Sequence, residues 1–299
     1  MKLNKISILV MGLAFSGSLW AETLPVVSSF SILGDVAKQI GGERVSVNNL
    51  VPADGNAHGY QLTGGDIKKL SSAKLILING LGLENGDVVR AVKNSKVPYA
   101  EAAAGITPIE NHNHAGHDHA GHDHHHETDP HVWHDPVLMQ KYAANVAKAL
   151  IAADPAGAKY YETRFKNYSN ELIKLDNFAR QQFNSVPAAQ RKVLTGHDSF
   201  AYLGKRYGVK LISPQGTSTE AQPSAKTVAA IIRQIKGEGV KAVFTENIKD
   251  GRMVQRIAQE TGVKVGGKLY SDALSKDANA RTYTDMFRYN VRMMSGAMK

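Results

Sequence analysis

The sequence predicts an α/β fold of two lobes, each with a parallel sheet flanked by helices, bridged by a long helix. Three features of the 299 residues predict it. Short apolar runs alternate with stretches of helical periodicity, and the alternation occurs twice. The two sets are separated by a helical stretch too long for an ordinary crossover.

In chain order, Val26 to Phe30 reads as a strand and Leu33 to Ile40 as a helix stopped by Gly41-Gly42. Val45 to Val51 is a second strand, Asp66 to Ser72 a short helix, Leu75 to Gly80 a third strand, and a helix follows near Val88 to Lys93. Strands joined through helices in this way run parallel, by right-handed crossovers. The second set begins with the strand Lys192 to Thr195 and the helix Ser199 to Tyr207. Strand Val209 to Ser213, helix Ser224 to Lys236, strand Val240 to Thr245 and helix Met253 to Glu260 continue it. Strand Val263 to Tyr270 and the helix Tyr283 to Met294 close it.

Between the sets, Val137 to Ala152 carries apolar residues at helical spacing. Asp154-Pro155 then restarts a helix, Asp as cap and Pro in the first turn. From there to about Val186, Tyr161, Phe165, Tyr168, Leu172, Leu175 and Phe178 form one stripe. About thirty helical residues would run ~45 Å, enough for a spine across both lobes. The chain therefore divides into 1–21, a signal peptide; 22–136, an N-terminal lobe; 137–186, a helical linker and spine; and 187–299, a C-terminal lobe.

The signal peptide is read from Lys2 and Lys5, the apolar run Ile6 to Phe15, and the small residues leading to Ala21. That run is too short to span a bilayer, and no later one approaches about 18 residues. With no cysteine, neither a disulfide nor a lipid on an N-terminal Cys is expected, and any metal site must use His, Asp or Glu. A mature chain soluble in the periplasm is the expectation. The formal charge of +9 comes from scattered Lys and Arg with no basic run interleaved with aromatics, which argues against a nucleic-acid partner.

Eight of the twelve histidines fall within 112–126, among Asn, Gly, Ala and Asp. This segment has no apolar period and builds no core. It is read as a loop of the first lobe that gathers zinc or docks a metal chaperone. The other four, His58, His131, His134 and His197, lie near the carboxyl ends of strands or in the approach to the spine, and Asp272 follows the last strand. Ligands of open parallel sheets bind at that edge. Imidazole and carboxylate suit a divalent transition metal, and three His with one Asp complete a tetrahedral shell for zinc. A shell with no open position holds an ion and does no chemistry with it. The competing reading is a periplasmic zinc hydrolase in which His131, His134 and His197 hold the ion and Asp135 or Glu246 is the base. The sequence has no His-Glu-x-x-His run to support it. Glu246 reads equally well as a group orienting a ligand imidazole or as an ion-pair partner.

Asp129-Pro130-His131-Val132-Trp133, Gly196-His197-Asp198-Ser199-Phe200-Ala201-Tyr202, Glu220-Ala221-Gln222-Pro223-Ser224 and Leu269-Tyr270-Ser271-Asp272-Ala273-Leu274-Ser275 together resemble the metal-binding proteins of ABC importers in the cluster 9 family. The resemblance covers nearly the whole mature chain. It implies two lobes with a metal between them, ligands at His58, His131, His197 and Asp272, a monomer, and delivery to an ABC permease. Manganese-selecting members tend to have a carboxylate where this chain has His197, so the resemblance implies zinc before manganese. The His-rich segment is likewise typical of zinc members. Asn56-Ala57 depart from the family's usual residues ahead of His58, and His134 is an extra His beside the signature. An adhesin or heme-handling protein on the same scaffold ranks below these readings.

Overall fold

The structure, a computed structural model, describes residues 23–110 and 128–299. The signal peptide expected over 1–21 and the His-rich segment 112–126 lie outside the described residues.

The N-terminal lobe runs β1 (Leu24–Phe30), α1 (Ser31–Gly41), β2 (Val45–Val51), α2 (Gly64–Ser72), β3 (Leu75–Ile78), α3 (Gly86–Asn94) and β4 (Tyr99–Glu101). Its strands pair in the order β2-β1-β3-β4, all parallel. The helix α4 (Pro136–Ala153) and the 27-residue α5 (Ala158–Asn184) follow. The C-terminal lobe runs β5 (Lys192–Leu194), α6 (Ala201–Tyr207), β6 (Lys210–Ile212), α7 (Ala225–Glu238), β7 (Ala242–Glu246), α8 (Arg252–Thr261), β8 (Lys264–Leu269) and α9 (Tyr283–Ala297). Its sheet, β6-β5-β7-β8, is also parallel and repeats the order of the first. In each, strand order reverses beside the first strand, which opens a crevice at the carboxyl edge.

The predicted elements are present with ends shifted by a few residues, and β4 is the one strand not read from sequence. Its three residues are exposed or half-buried, so they carry no apolar signal. Local chemistry sets several boundaries. Thr63 and Asp66 form a reciprocal capping box on α2, and Asn85 caps α3. Asp135 caps α4 by accepting from the Val137 and Leu138 amides, with Pro136 in the first turn. Asp154 does not cap the spine as expected. A single 3-10 turn, Pro155–Gly157, precedes α5, and the Asp154 carboxylate instead binds Arg44 and the Tyr161 hydroxyl at 2.6 Å.

The spine spans ~40 Å and packs on α1 of one lobe and on α6 and α9 of the other. A single apolar core joins the lobes, from Val26, Leu33 and Trp133 through Tyr161 and Leu172 to Phe200, Phe244 and Phe287. Smaller clusters fill the outer sheet faces, one around Ile76 and Val88 and one around Val243 and Ile257. Polar contacts add to the junction. Asp35 accepts from the Tyr283 amide at 2.8 Å, Ser31 from the Leu274 amide at 2.9 Å, and Asn56 meets Thr219 at 2.8 Å. The sheet edges are thereby fixed facing each other.

Candidate metal centre

His58 sits seven residues beyond the end of β2, in a loop that Asn56 folds back by accepting the His58 amide at 3.1 Å. His131 opens the one-turn 3-10 helix Val132–His134 that leads into α4. His197 follows β5 and Asp272 follows β8. The four come from four separate segments, yet their ligating atoms all lie within 4.8 Å of one another. His58 Nε2 is 3.2 Å from His131 Nε2 and 3.2 Å from Asp272 Oδ2. His197 Nε2 is 3.1 Å from Asp272 Oδ2, and His131 Nε2 is 3.5 Å from Asp272 Oδ1. A tetrahedron of N and O ligands at 2.0–2.1 Å has edges of about 3.3–3.4 Å, so the spacing suits one ion at the centre.

All four side chains are buried, His131, His197 and Asp272 completely. Neither oxygen of Asp272 nor Nε2 of His197 has a hydrogen-bond partner. Buried polar atoms are costly in that state, and a cation among them removes the cost.

Two of the imidazoles are held from behind. Asp129 accepts from both the His131 amide, at 2.9 Å, and His131 Nδ1, at 2.7 Å. Glu246, the last residue of β7, accepts from the His197 amide at 2.9 Å and from His197 Nδ1 at 2.5 Å. It also takes the Ser271 hydroxyl at 3.1 Å, one residue before Asp272. With Nδ1–H donated to a carboxylate, each Nε2 presents its lone pair to the centre. Gly196 allows the approach, since a Cβ there would lie 2.9 Å from Glu246 Oε1.

The electrostatics follow from burial and these partners. Burial alone would lower both imidazoles. For His131 the carboxylates of Asp272 and Asp129 overcome it, raising the pKa to about 9. For His197, Glu246 and Asp272 raise it to about 10. His58 has no carboxylate behind it, and burial lowers its pKa. Burial would raise Asp272, but the facing His197 and His131 hold it well below the usual carboxylate range. The carboxylates thus favour the protonated form of one imidazole from each lobe, His131 and His197.

The four residues anticipated from sequence are thus brought together, and His134 stands outside the group. Its ring packs at a 35° tilt against Phe200 with centroids 4.2 Å apart, and its Nε2 faces the Ser271 carbonyl at 3.0 Å. Glu246 orients His197, one of the two roles read for it. Asp129 was not foreseen as an orienting group. The signal available was a carboxylate two residues before a candidate ligand, with Pro130 fixing the turn between them.

The family of periplasmic zinc-uptake complex component A, ZnuA, matches residues 26–297. The chain belongs to this family. Members of the ZnuA family are metal-binding, substrate-binding proteins of ABC importers and not enzymes. The periplasmic zinc-binding protein TroA of Treponema pallidum has a similar structure, with a TM-score of 0.82 at 28% identity over 92% of this chain and 99% of that one. A manganese-bound periplasmic metal-binding protein of Candidatus Liberibacter asiaticus has a TM-score of 0.80 at 30% identity, over 93% of this chain and 100% of that one. The manganese ABC transporter substrate-binding lipoprotein PsaA of Streptococcus pneumoniae is 30% identical over 285 residues, covering 92% of this chain and 89% of that protein.

These relatives correct two expectations. The hydrolase reading has no support in the family, and the side chains named as its base are otherwise engaged. Asp135 caps α4 and pairs with Arg206, while Glu246 binds His197. The ranking of manganese below zinc is also unsupported, because similar proteins are named for each metal. Among the described residues no helix is long and apolar enough to cross a membrane.

Proposed function

We propose that this protein captures zinc(II) in the periplasm between its two lobes, through His58, His131, His197 and Asp272, and delivers it as a monomer to the membrane permease of an ABC importer. The observation that carries the reading is a buried set of three imidazole nitrogens and one carboxylate, spaced as tetrahedron edges, in which Asp272 and His197 Nε2 have no other partner. A nitrogen-rich set of this kind suits zinc better than the harder manganese. One observation favours manganese as the second reading. Both Asp272 oxygens are unpartnered, so a bidentate carboxylate would raise the coordination number above four.

Metal analysis of the purified protein, with zinc and manganese competing at equal concentration, tests the choice. Zinc is expected to fill the site at one ion per chain, and manganese to be retained only when zinc is withheld. A preference for manganese would overturn the zinc reading and leave the site intact. His197→Ala is expected to weaken binding by at least about 100-fold, since it removes one ligand and strands the Glu246 charge in a dry interior. Wild-type affinity in that variant would refute the ligand set.

The His-rich segment 112–126 is proposed to gather zinc near the centre or to dock a metal chaperone. Its flanks support the first role. Glu110 and Thr128 pair as an antiparallel bridge, and the Tyr202 hydroxyl donates to the Asp129 carbonyl at 2.7 Å, so the segment leaves and returns beside His131. Deleting 112–126 is expected to slow zinc uptake from a dilute donor without changing affinity at the buried centre.

A further inference from the structure

His134 has no place in the ligand set, yet it is completely buried at the junction of the lobes. Its surroundings are specific. One face packs, tilted, against Phe200, three residues beyond His197. The ring edge meets the backbone carbonyl of Ser271, the residue before Asp272, with Nε2 at 3.0 Å. The indole of Trp133 donates to the same oxygen at 2.8 Å. A side chain of the N-terminal lobe therefore touches the two C-terminal segments that carry His197 and Asp272.

The proton on His134 can be assigned by elimination. A lone pair on Nε2 would confront the Ser271 oxygen at 3.0 Å and share only the Trp133 indole N–H, which lies 3.1 Å away and is already donated to Ser271 at 2.8 Å, and the proton would then lie on Nδ1, which has no partner. A buried N–H without an acceptor is rarer and more costly than an unused acceptor. The proton is on Nε2 and is donated to Ser271.

That donation matters because the Asp272 carboxylate meets only the facing imidazoles and has no hydrogen bond from behind to fix it. Its aim depends on its backbone. On one side the Ser271 carbonyl is held by Trp133 and His134. On the other, the Leu274 carbonyl accepts from the Asp54 amide at 2.7 Å, and the Ser275 hydroxyl donates to Asp54 at 2.9 Å. We infer that His134 is a positioning residue for Asp272, holding the Ser271 carbonyl so that the adjacent carboxylate faces the three imidazoles. This role rests on Asp272 being a ligand, and the test separates the two.

Three variants decide it. His134→Phe keeps a ring against Phe200 and removes the donor. His134→Asn is polar but too short to reach Ser271, and His134→Gln carries an amide N–H at about the reach of Nε2. The readouts are the rate of zinc loss to a chelator, the visible spectrum of the cobalt(II)-loaded protein, and the melting temperature of the metal-free protein. The Phe and Asn variants are expected to lose zinc about five- to ten-fold faster, the size of one lost hydrogen bond. Their cobalt spectra should shift, and His134→Gln should restore both rate and spectrum, with metal-free melting temperatures alike in Gln and Asn. Wild-type rate and spectrum in whichever of the Phe and Asn variants folds would overturn the role, as would a Gln variant that behaves like Asn. Asp272→Asn is measured alongside. Unaltered zinc binding there would overturn the ligand assignment and this role together, whereas loss there with an unaltered His134→Asn would overturn the role alone.

Discussion

The two lobes have the same strand order but build their halves of the candidate centre differently. The C-terminal lobe presents His197, Glu246 and Asp272 at or just beyond the ends of β5, β7 and β8, three neighbouring strands of one sheet. The N-terminal lobe presents His58 from a loop and His131 from a one-turn helix, neither joined directly to a strand end. Sheet geometry aims the first group. The second is aimed by local polar contacts, Asn56 for the His58 backbone and Asp129 for the His131 ring. The comparison teaches that neighbouring strand ends of a parallel sheet can place both an imidazole and the carboxylate that holds it, while a half built on loops must find its holding side chain within a few residues of the group it holds.

The largest effect that sharpens this comparison is on pH. His131 and His197, one from each lobe, have pKa values raised to about 9 and about 10 in the metal-free protein, while that of His58 is lowered. A raised folded-state value means that the protonated imidazoles stabilise the metal-free fold fully below the unfolded pKa of about 6.5. That stabilisation is lost as pH rises through 9 to 10. Metal must displace the same protons, so affinity moves the opposite way, rising by up to about two decades per pH unit between pH 7 and 9. Calorimetry in buffers of different ionisation enthalpy should find two protons released per zinc at pH 7. Release of one proton would mean that only one lobe holds its ligand charged.

Next come the carboxylates behind the imidazoles. Glu246→Gln and Asp129→Asn are each expected to lower zinc affinity by about 10- to 100-fold. Glu246 should be the more sensitive, because it also receives the Ser271 hydroxyl and so steadies two ligand segments, while one oxygen of Asp129 is unused. A larger loss from Asp129→Asn, by competition with a chelating dye, would break the claim that the C-terminal half is the more tightly built. The smallest effect is expected from Gly196→Ala. The added Cβ must displace Glu246 Oε1 from 2.9 Å, which tilts His197 without removing a partner, for a loss of less than about ten-fold. No change would show that the β5 end yields more readily than a strand terminus should.

The periodicities that build the sheets were legible because burial demands them. The fully apolar β3 and the amphipathic α8 follow directly from which faces meet the core. β4 escaped because an edge strand of three exposed or half-buried residues owes its pairing to its neighbour and not to its own pattern. Of the site, the residue types and their positions after strands were legible, and the family motifs narrowed them to four. Whether Glu246 orients an imidazole or pairs with a lysine, and whether His131 or His134 faces the centre, depends on ring directions at positions three residues apart. His131 stands at the N-cap, outside the one-turn helix that carries His134, so the eclipsing of residues three apart within such a turn does not apply to this pair.

Sequence alone determined the two-lobed α/β class, the spine, and a donor set of imidazole and carboxylate without thiolate. Those follow from local periodicity and composition. Only the tertiary structure decided that four segments, spread from His58 to Asp272, converge within 4.8 Å, and that Asp129, Glu246 and the Ser271 carbonyl hold them in place. The physical reason is that convergence depends on how the two sheets are docked. The docking is set by a core shared across the lobes, which no window of neighbouring residues contains.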